Sequence, residues 1–349
     1  MSISDKKIKT KIPGKLFFAG EYAVTKEGNL ALITTIETNF EMSISRASDK
    51  SILKTNVGLA DFEFSLSKIE FDKESPWNFA LTALKNTLSA ADSSKKESVS
   101  KISELSVEIC LEIRSDLGFG ENKKGYGSSA SVVCGVVNAV NQFFDLQLSL
   151  EKRFEIAAKT HFEVQGSGSM GDIAAIMYGG SVFYQNHNRI LPLEIPWKTY
   201  VVQTGKAAKT AEKIKIKLSD EFYQTSNELV IEMATAIDIQ DFSLFKEKLS
   251  ENQLLLLENI PEGYMTKELA LALNLLNSYP ELAAKISGAG FGENLILFAQ
   301  NSMAIAEVQK NYTNMESILK SLRLLKKITE FNLLKTKKEN KDRFKPVRA

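Results

Sequence analysis

The sequence is poor in two residue types on which many enzymes depend. It contains two histidines, His161 and His187, and two cysteines, Cys110 and Cys134. So few histidines argue against a His-ligated zinc site and against a Ser-His-Asp hydrolase. Both cysteines lie in apolar, periodic surroundings, which favours small core residues in a reducing compartment over a disulfide.

The sequence also lacks a strong charge of either sign and a long apolar run. Its formal net charge is +1, so no overall field attracts nucleic acid or an anionic membrane. No run approaches the roughly 18 apolar residues that a membrane span needs. The first residues, MSISDKKIKTKIPG, carry charges with no apolar stretch behind them, unlike a secretory signal. We therefore expect a cytoplasmic protein with no nucleic-acid or membrane partner.

The length of 349 residues, with 44% hydrophobic and 25% charged residues, suits two globular domains. Residues 335–349 differ in composition, because they carry seven Lys or Arg against two acids. We expect a solvated, frayed terminus there. An arm for nucleic acid or for a protein partner is the alternative interpretation of this segment.

The hydrophobic periodicity predicts a mixture of strands and helices. Residues 105–113 alternate strictly between apolar and polar, which is typical of a half-buried strand. Residues 8–18 predict one or two strands broken at Pro13-Gly14, and residues 30–36 and 40–44 predict two separate strands. Helices are predicted at about 128–144 and 150–164, and the leucines at 254–257 are expected to be buried. No regular βαβ alternation is present, which indicates an α+β fold rather than a doubly wound sheet.

The stretch KKGYGSSASVVCGVVNAVNQFF, residues 123–144, places glycines and serines before a long apolar run. A helix N-terminus leaves backbone N–H groups without partners and carries about half a positive charge. Glycines in front of it let the backbone approach an anion. Gly125, Gly127, Ser128 and Ser129 are therefore candidates for a phosphate cradle, and a plain helix N-cap after a glycine turn is the alternative. The stretch is not a Walker A loop, because no Gly-Lys-Ser/Thr closes it.

Together with two other stretches, this loop resembles the GHMP kinase superfamily. KIPGKLFFAGEYAV, residues 11–24, is similar to its N-terminal Pro-Gly-Lys motif, and ISGAGFGENLILF, residues 286–298, to its C-terminal Gly-Ala-Gly loop. The central loop is similar to Gly-Leu-Gly-Ser-Ser-Ala. The resemblance implies the two-domain α+β fold of the family, with an N-terminal nucleotide-binding domain at 1–190, a C-terminal α+β domain at 191–334 and the basic tail at 335–349.

Within the superfamily the details are most similar to bacterial phosphomevalonate kinases. The matching stretches are Gly14-Lys15-Leu16, Ala19-Gly20-Glu21-Tyr22-Ala23, the pair Lys123-Lys124, Gly168-Ser169-Met170-Gly171-Asp172 and QTGKAAKT at 203–210. The loop departs from the pattern with Tyr126 in place of leucine and with one residue fewer before the serines. Phe291 stands where phosphomevalonate kinases usually have glycine.

The resemblance implies transfer of the ATP γ-phosphoryl group to 5-phosphomevalonate, which gives 5-diphosphomevalonate in the mevalonate pathway of isoprenoid synthesis. Its cofactors are ATP and Mg²⁺, and its partners are these small molecules, with a monomer or a homodimer as the assembly. The alternatives are another small-molecule GHMP kinase, such as mevalonate kinase, and a catalytically silent ligand-binding homologue.

The resemblance also implies roles for individual residues. Lys15 bridges donor and acceptor phosphates, and Asp172 orients Lys15 or the metal, with a helix N-cap as its alternative. Ser129 contacts Mg²⁺, although the assignment between it and Ser128 stays open. The ATP and phosphate contacts are Lys123, Lys124, Gly125, Gly127, Ser128, Ser129 and Ala130. The substrate contacts are Glu21, Tyr22, Ser169, Lys206, Lys209, Gly288, Ala289 and Gly290.

Some of these roles have open alternatives. A salt bridge at a strand end is the alternative for Glu21, and solvated lysines at a helix start are the alternative for Lys206 and Lys209. Some family members place a metal-binding glutamate eleven residues before the aspartate, where this chain has His161. That role is not carried over to this chain.

Overall fold

The computed structural model describes residues 6–94, 107–117, 124–203, 216–290, 294–315 and 328–330. The chain forms two compact units. The first unit comprises Met1–Gly14 and Glu37–Tyr178, and the second comprises Lys15–Ile36 and Gly179–Ala349. The predicted domain boundary at residue 190 stays a prediction, and the two units are described separately below.

The strands of the described residues are β1 (Lys7–Ala19), β2 (Leu30–Ala47), β3 (Ser51–Thr55), β4 (Phe62–Phe64), β5 (Glu108–Arg114), β6 (Ser181–Gln185), β7 (Arg189–Leu193), β8 (Lys198–Gln203), β9 (Leu282–Ser287), β10 (Asn294–Ala299) and β11 (Ile328–Glu330). The helices are α1 (Asn78–Ser94), α2 (Ser128–Phe143), α3 (Leu150–Gln165), α4 (Gly171–Tyr178), α5 (Asp220–Asp238), α6 (Phe242–Asn259), α7 (Lys267–Asn277) and α8 (Ser302–Met315). A single 3₁₀ turn spans Ala23–Thr25.

The first unit packs helices against a sheet. Its strand order is β4-β3-β5-β2, and β1 also pairs with β2. β3 runs parallel to β5, whereas β2 runs antiparallel to it, with Met42 opposite Ile113 and Ile44 opposite Leu111. These four side chains are buried because every second residue of a strand points to the same face. Helices α1, α2 and α3 pack against one another, and α4 packs against α2 and α3.

The second unit contains the β2-β6-β7 strands and a four-stranded sheet of order β11-β8-β10-β9. β10 pairs antiparallel with both β8 and β9, and every residue of β9 and β10 is buried. Helices α6 and α7 pack against β9. A continuous apolar core therefore surrounds the strand that leads into Gly288.

The α+β prediction is confirmed, while several boundaries differ. β1 continues through Pro13 and Gly14 without a break, and residues 30–36 and 40–44 belong to the single strand β2. Strand β7 was not predicted. The four consecutive leucines are not all buried, because a helix turns by about 100° per residue. Leu256 faces the core, but Leu254 is 56% exposed.

Both cysteines are free in the structure. Cys134 is buried, as predicted for a core residue, and burial raises the pKa of its thiol. Cys110 is only half-buried. Among the described residues, no helix combines the length and the apolar character that a membrane crossing requires.

Candidate active site

In the first unit, α2 begins directly after a glycine in the left-handed conformation. Gly127 has φ 80° and ψ 41°, and Gly125 has φ 76°, a region that residues with a Cβ rarely occupy. Gly127 is the N-cap residue and offers no side-chain acceptor to the first N–H groups of the helix. The loop therefore has the backbone form that lets an anion approach a helix N-terminus.

The apolar run anchors α2 behind this loop. Ala130, Val133, Val137 and Val140 are fully buried, and their spacing of three or four residues places them on one face. Ala130 therefore contributes its side chain to the core, so only its backbone is suited to a phosphate contact. Ser128 and Ser129, in the first turn, are half-buried.

A different serine ties this turn to the fold. The Ser131 hydroxyl lies 3.0 Å from the carbonyl oxygen of Pro13 and 3.2 Å from that of Gly127. The plain N-cap interpretation required a side chain that caps α2, and neither Ser128 nor Ser129 occupies the N-cap position. The first turn of α2 is thus held by Ser131, which leaves the two preceding serines at the mouth of the loop.

The N-terminal Pro-Gly-Lys motif packs at Gly14 against the glycine-serine loop that precedes α2. A Cβ on Gly14 would lie 3.0 Å from the Cβ of Tyr126 and 3.1 Å from its carbonyl oxygen. Such contacts are tighter than most Cβ atoms make, so a side chain at residue 14 would require its neighbours to shift. Tyr126, the residue that departs from the family pattern, is buried here with 4% exposure. Pro13-Gly14 and the glycine-serine loop are therefore neighbours, although they are more than 100 residues apart in sequence.

A cavity of about 400 Å³ opens beside the two serines. Its lining is largely apolar and includes Val57, Leu59, Pro76, Trp77, Phe79, Ile113, Ser128 and Ser129. A cavity of this size with a few polar groups at one end is typical of a small-molecule site. Sequence reasoning missed this cavity, since its walls come from β2, β3, β5, α1, α2 and α3, which share no local motif.

His161 is buried beside the loop. Its Nε2 lies 3.4 Å from the Ser129 hydroxyl oxygen, and its ring lies 5.4 Å from that of Phe79. His161 is 2% exposed, so this contact is shielded from solvent. The structure thus places His161, which stands where some family members have a metal-binding glutamate, next to the serine that the resemblance assigns to Mg²⁺.

Asp172 and Ser169 lie at the start of α4 in the same unit. The Ser169 hydroxyl accepts a hydrogen bond from the Gly171 N–H at 3.3 Å, and Asp172 Oδ1 accepts one from the Ile173 N–H at 2.9 Å. Asp172 is half-buried, and it lies in the first turn rather than at the N-cap. A carboxylate is favourable at this end of a helix.

Lys124 is exposed and pairs with Asp116 at 3.6 Å. Its backbone N–H donates to the Leu117 carbonyl oxygen at 3.0 Å. This hydrogen bond ties the start of the glycine-serine loop to the residues that follow β5. Lys123, Lys206 and Lys209 lie outside the described residues, as do Phe291 and the tail at 335–349. Their roles stay predictions.

In the second unit, Glu21 forms a buried ion pair with Lys285. Lys285 Nζ lies 2.5 Å from Glu21 Oε1, and the two side chains are 0% and 3% exposed. Burial lowers the pKa of Lys285, and the neighbouring Glu21 carboxylate opposes this shift. The salt bridge that the sequence left open for Glu21 is therefore present, and its partner was missed. The available signal was a lysine inside the apolar strand LAAKIS, directly before Gly288.

The other second-unit residues lie around the Gly288-Ala289-Gly290 loop or on β1. The Tyr22 hydroxyl donates to the Ala289 carbonyl oxygen at 2.7 Å. Gly290 has φ 82°, and a Cβ there would lie 2.2 Å from the ring of Tyr264. Lys15 is half-buried on β1, with Nζ 5.2 Å from the ring centre of Phe17. Tyr22 and the glycine loop, both predicted to contact the substrate, are thus neighbours, and their role in substrate binding stays a prediction.

The donor set suits Mg²⁺ held mainly by phosphate oxygens. Among the described residues, no group of three His, Cys, Asp or Glu side chains could hold a metal on its own. Mg²⁺ keeps several waters and usually takes one or two protein ligands together with substrate phosphates. A serine hydroxyl at the mouth of a phosphate loop and the Asp172 carboxylate fit that type of site.

Comparisons with known proteins agree with this architecture. Residues 79–180 match the GHMP kinases N terminal domain, and residues 233–316 match the GHMP kinases C terminal domain. A phosphomevalonate kinase from Streptomyces sp. (strain CL190) is 26% identical, with 89% of this chain and 96% of that protein covered. A mevalonate kinase from Pyrococcus furiosus is 27% identical, with coverage of 84% and 90%.

Among solved structures, Streptococcus pneumoniae phosphomevalonate kinase in complex with phosphomevalonate and AMPPNP has a TM-score of 0.74 at 22% identity. The match covers 88% of this chain and 97% of that one, and it shows a shared fold. The two domain matches and the loop geometry lead to one conclusion: the chain belongs to the GHMP kinase family of ATP-using phosphotransferases.

Proposed function

We propose that this protein transfers the γ-phosphoryl group of ATP to the phosphate of 5-phosphomevalonate and produces 5-diphosphomevalonate. The observation that carries the proposal is the N-terminus of α2, which follows the left-handed Gly127, lacks a side-chain cap and lies beside the apolar cavity. This arrangement suits a nucleotide, whose base is apolar and flat and whose phosphates are anionic.

The choice of acceptor is supported by sequence similarity. The Streptomyces relative, a phosphomevalonate kinase, is covered over 96% of its length. The Ala19–Ala23 and Gly168–Asp172 stretches are similar to those of phosphomevalonate kinases. Mevalonate kinases are the second candidate, because several relatives of comparable identity carry that name.

Phosphoryl transfer needs positioning and charge neutralisation more than covalent chemistry. In the proposed mechanism, the N–H groups of the glycine-serine loop hold the ATP phosphates, and Lys123 and Lys124 add positive charge. Ser129 and Asp172 would hold Mg²⁺, which neutralises phosphate charge when bound. Lys15 stabilises the negative charge that develops on the transferred group, which is transition-state stabilisation.

Asp172 has a smaller chemical task with a phosphate acceptor than with an alcohol. A phosphate monoester is already ionised near pH 7, because its second pKa is about 6. General-base removal of a proton is therefore hardly needed, and Asp172 acts by orientation. A mevalonate kinase would instead need this carboxylate to assist a hydroxyl group.

The test is acceptor-dependent release of ADP by the purified protein. Three parallel assays contain phosphomevalonate, mevalonate or no acceptor. We expect kcat/KM for phosphomevalonate to exceed that for mevalonate by at least about tenfold, equivalent to roughly 1.4 kcal/mol. A preference for mevalonate would replace the proposal with the second candidate. ADP release that no acceptor stimulates would contradict both kinase assignments.

A further inference from the structure

The buried ion pair between Glu21 and Lys285 carries a large desolvation penalty. Both side chains are almost fully removed from water, and desolvation of two charges offsets most of their attraction. Besides the carboxylate, Lys285 Nζ donates to the Ile286 carbonyl oxygen at 2.8 Å. Glu21 Oε2 is buried and has no hydrogen-bond partner among the described residues. An apolar pair of similar volume would serve stability equally well, so stability alone does not account for the charges.

The pair joins two segments that are far apart in sequence. Glu21 follows Gly20, which has φ 79° and whose Cβ would lie 2.0 Å from the Leu30 carbonyl oxygen. Lys285 lies on β9, three residues before Gly288. A second link runs parallel to the ion pair, because the Ser287 hydroxyl donates to the Phe17 carbonyl oxygen at 2.7 Å.

The residues that follow each partner also contact each other. Tyr22, directly after Glu21, has φ 63°, a strained conformation that persists only where the surrounding structure imposes it. In that conformation its hydroxyl reaches the Ala289 carbonyl oxygen. Tyr264 packs so closely on Gly290 that no side chain fits there. The strained tyrosine and the glycine loop thus each lie next to one partner of the same buried ion pair.

We propose that the Glu21–Lys285 ion pair is a positioning element that holds Tyr22 and the Gly288-Ala289-Gly290 loop in the geometry that binds the phosphoryl acceptor. Lys285 and Glu21 act through these neighbours and are positioning residues. The proposal rests on the proposed function insofar as the glycine loop contacts the acceptor. Loss of the ion pair should therefore weaken binding of the acceptor and leave the affinity for ATP unchanged.

Three variants separate positioning from stability. Lys285→Met leaves a buried carboxylate without its cation, and Glu21→Gln leaves a buried cation without its anion, so both lose thermal stability. The double variant Glu21→Gln/Lys285→Met removes both charges and recovers most of the melting temperature. It still lacks the ammonium that joins β9 to the segment at Glu21. Lys248→Met is the matched control, because Lys248 pairs with Glu232, Glu247 and Glu251 on the helices of the same unit.

For the double variant, we expect KM for the acceptor to rise at least about tenfold, equivalent to about 1.4 kcal/mol, with ATP affinity unchanged. Backbone hydrogen exchange of residues 19–25 and 284–290 should quicken relative to wild type. Lys248→Met should change neither quantity. A double variant with wild-type acceptor KM and wild-type exchange would overturn the proposal, as would equal loss of ATP and acceptor binding.

The two proposals fail in different ways. Wild-type protein that uses neither phosphomevalonate nor mevalonate would contradict the proposed function. Hydrogen exchange would still decide on the ion pair, because it needs no turnover. If Lys285→Met and Glu21→Gln fail to fold, the double variant carries the test, since it contains no unpaired buried charge.

Discussion

Ser129 and Ser131 lie in the same turn of α2 and make different contacts. Ser131 is bonded to the Pro13 and Gly127 carbonyl oxygens, whereas Ser129 lies near His161 at the edge of the cavity. The contrast supports a structural role for Ser131, while metal or phosphate binding by Ser129 stays a prediction. The choice between the adjacent serines Ser128 and Ser129 stays open.

We expect Ser129→Ala to lower kcat and to raise the Mg²⁺ concentration needed for half-maximal rate, with little change in melting temperature. Ser131→Ala should instead lower stability by about 0.5–1.5 kcal/mol per lost hydrogen bond, because its hydroxyl is buried. Thermal melts and Mg²⁺ titrations of both variants provide the check. The reverse ordering, with a destabilised Ser129→Ala and normal metal dependence, would make Ser129 structural.

Lys15 provides a second prediction at the residue scale. Lys15→Ala should lower kcat about 10²–10³-fold, the usual effect of removing one preorganised electrostatic contact to the transition state. ATP affinity should change much less, since the charge matters most during transfer. Lys11→Ala, an exposed lysine on the same strand, is the control. A folded Lys15→Ala protein with wild-type kcat would exclude this role.

At the scale of elements, Glu108 joins β5 to β3 and to the segment just after β4. From β5 it accepts hydrogen bonds from the Ser51 N–H and hydroxyl on β3, and from the Ser65 hydroxyl and Leu66 N–H just after β4. Burial raises the pKa of Glu108, but these hydrogen bonds together lower it below 4.5. The ionised carboxylate therefore stabilises these connections.

The pH dependence follows from the sign of that shift. A lowered pKa in the folded state gives stability that is present above pH 4.5 and is lost as the pH falls through the folded-state value. Glu108→Gln should cost about 1–3 kcal/mol at pH 7, and the gap from wild type should shrink below pH 4.5. Melting curves at pH 7 and pH 3.5 measure it. A gap that stays constant with pH would contradict the assignment.

Glu112→Gln is the matched control for Glu108. Glu112 lies on the same strand and pairs with Arg114 at 2.8 Å near the surface. Surface ion pairs contribute about 0–1 kcal/mol, so this variant should melt close to wild type. Comparable destabilisation by both variants would mean that the two carboxylates on β5 contribute equally to stability. The hydrogen bonds that Glu108 accepts from Ser51, Ser65 and Leu66 would then have no special role.

Local patterns predicted the elements better than their connections. The alternation at 105–113 predicted β5, and the glycines before an apolar run predicted where α2 begins. β2 was predicted as two strands because the polar residues 37–39 interrupt its pattern. β2 pairs with β6 at residues 30–34 and with β5 at residues 41–47, so the chain is held extended on both sides of residues 37–39, and this tertiary effect overrides the local signal.

For the whole molecule, the motifs predicted the family, while the contacts between distant residues were not predictable. Nothing local indicates that Glu21 pairs with Lys285, which is 264 residues away. The cavity is equally nonlocal, because its walls come from six helices and strands. Sequence patterns report periodicity and turn chemistry, and long-range polar contacts depend on the completed fold.

The most direct test of the central claim is a competition between acceptors in one reaction. Wild-type protein receives ATP, Mg²⁺ and equal concentrations of mevalonate and phosphomevalonate, and phosphorus NMR follows the products. The account predicts that the phosphomevalonate signal disappears first and that two coupled phosphorus signals of a diphosphate ester replace it. Accumulation of additional phosphomevalonate at the expense of mevalonate, with no diphosphate formed, would contradict the account.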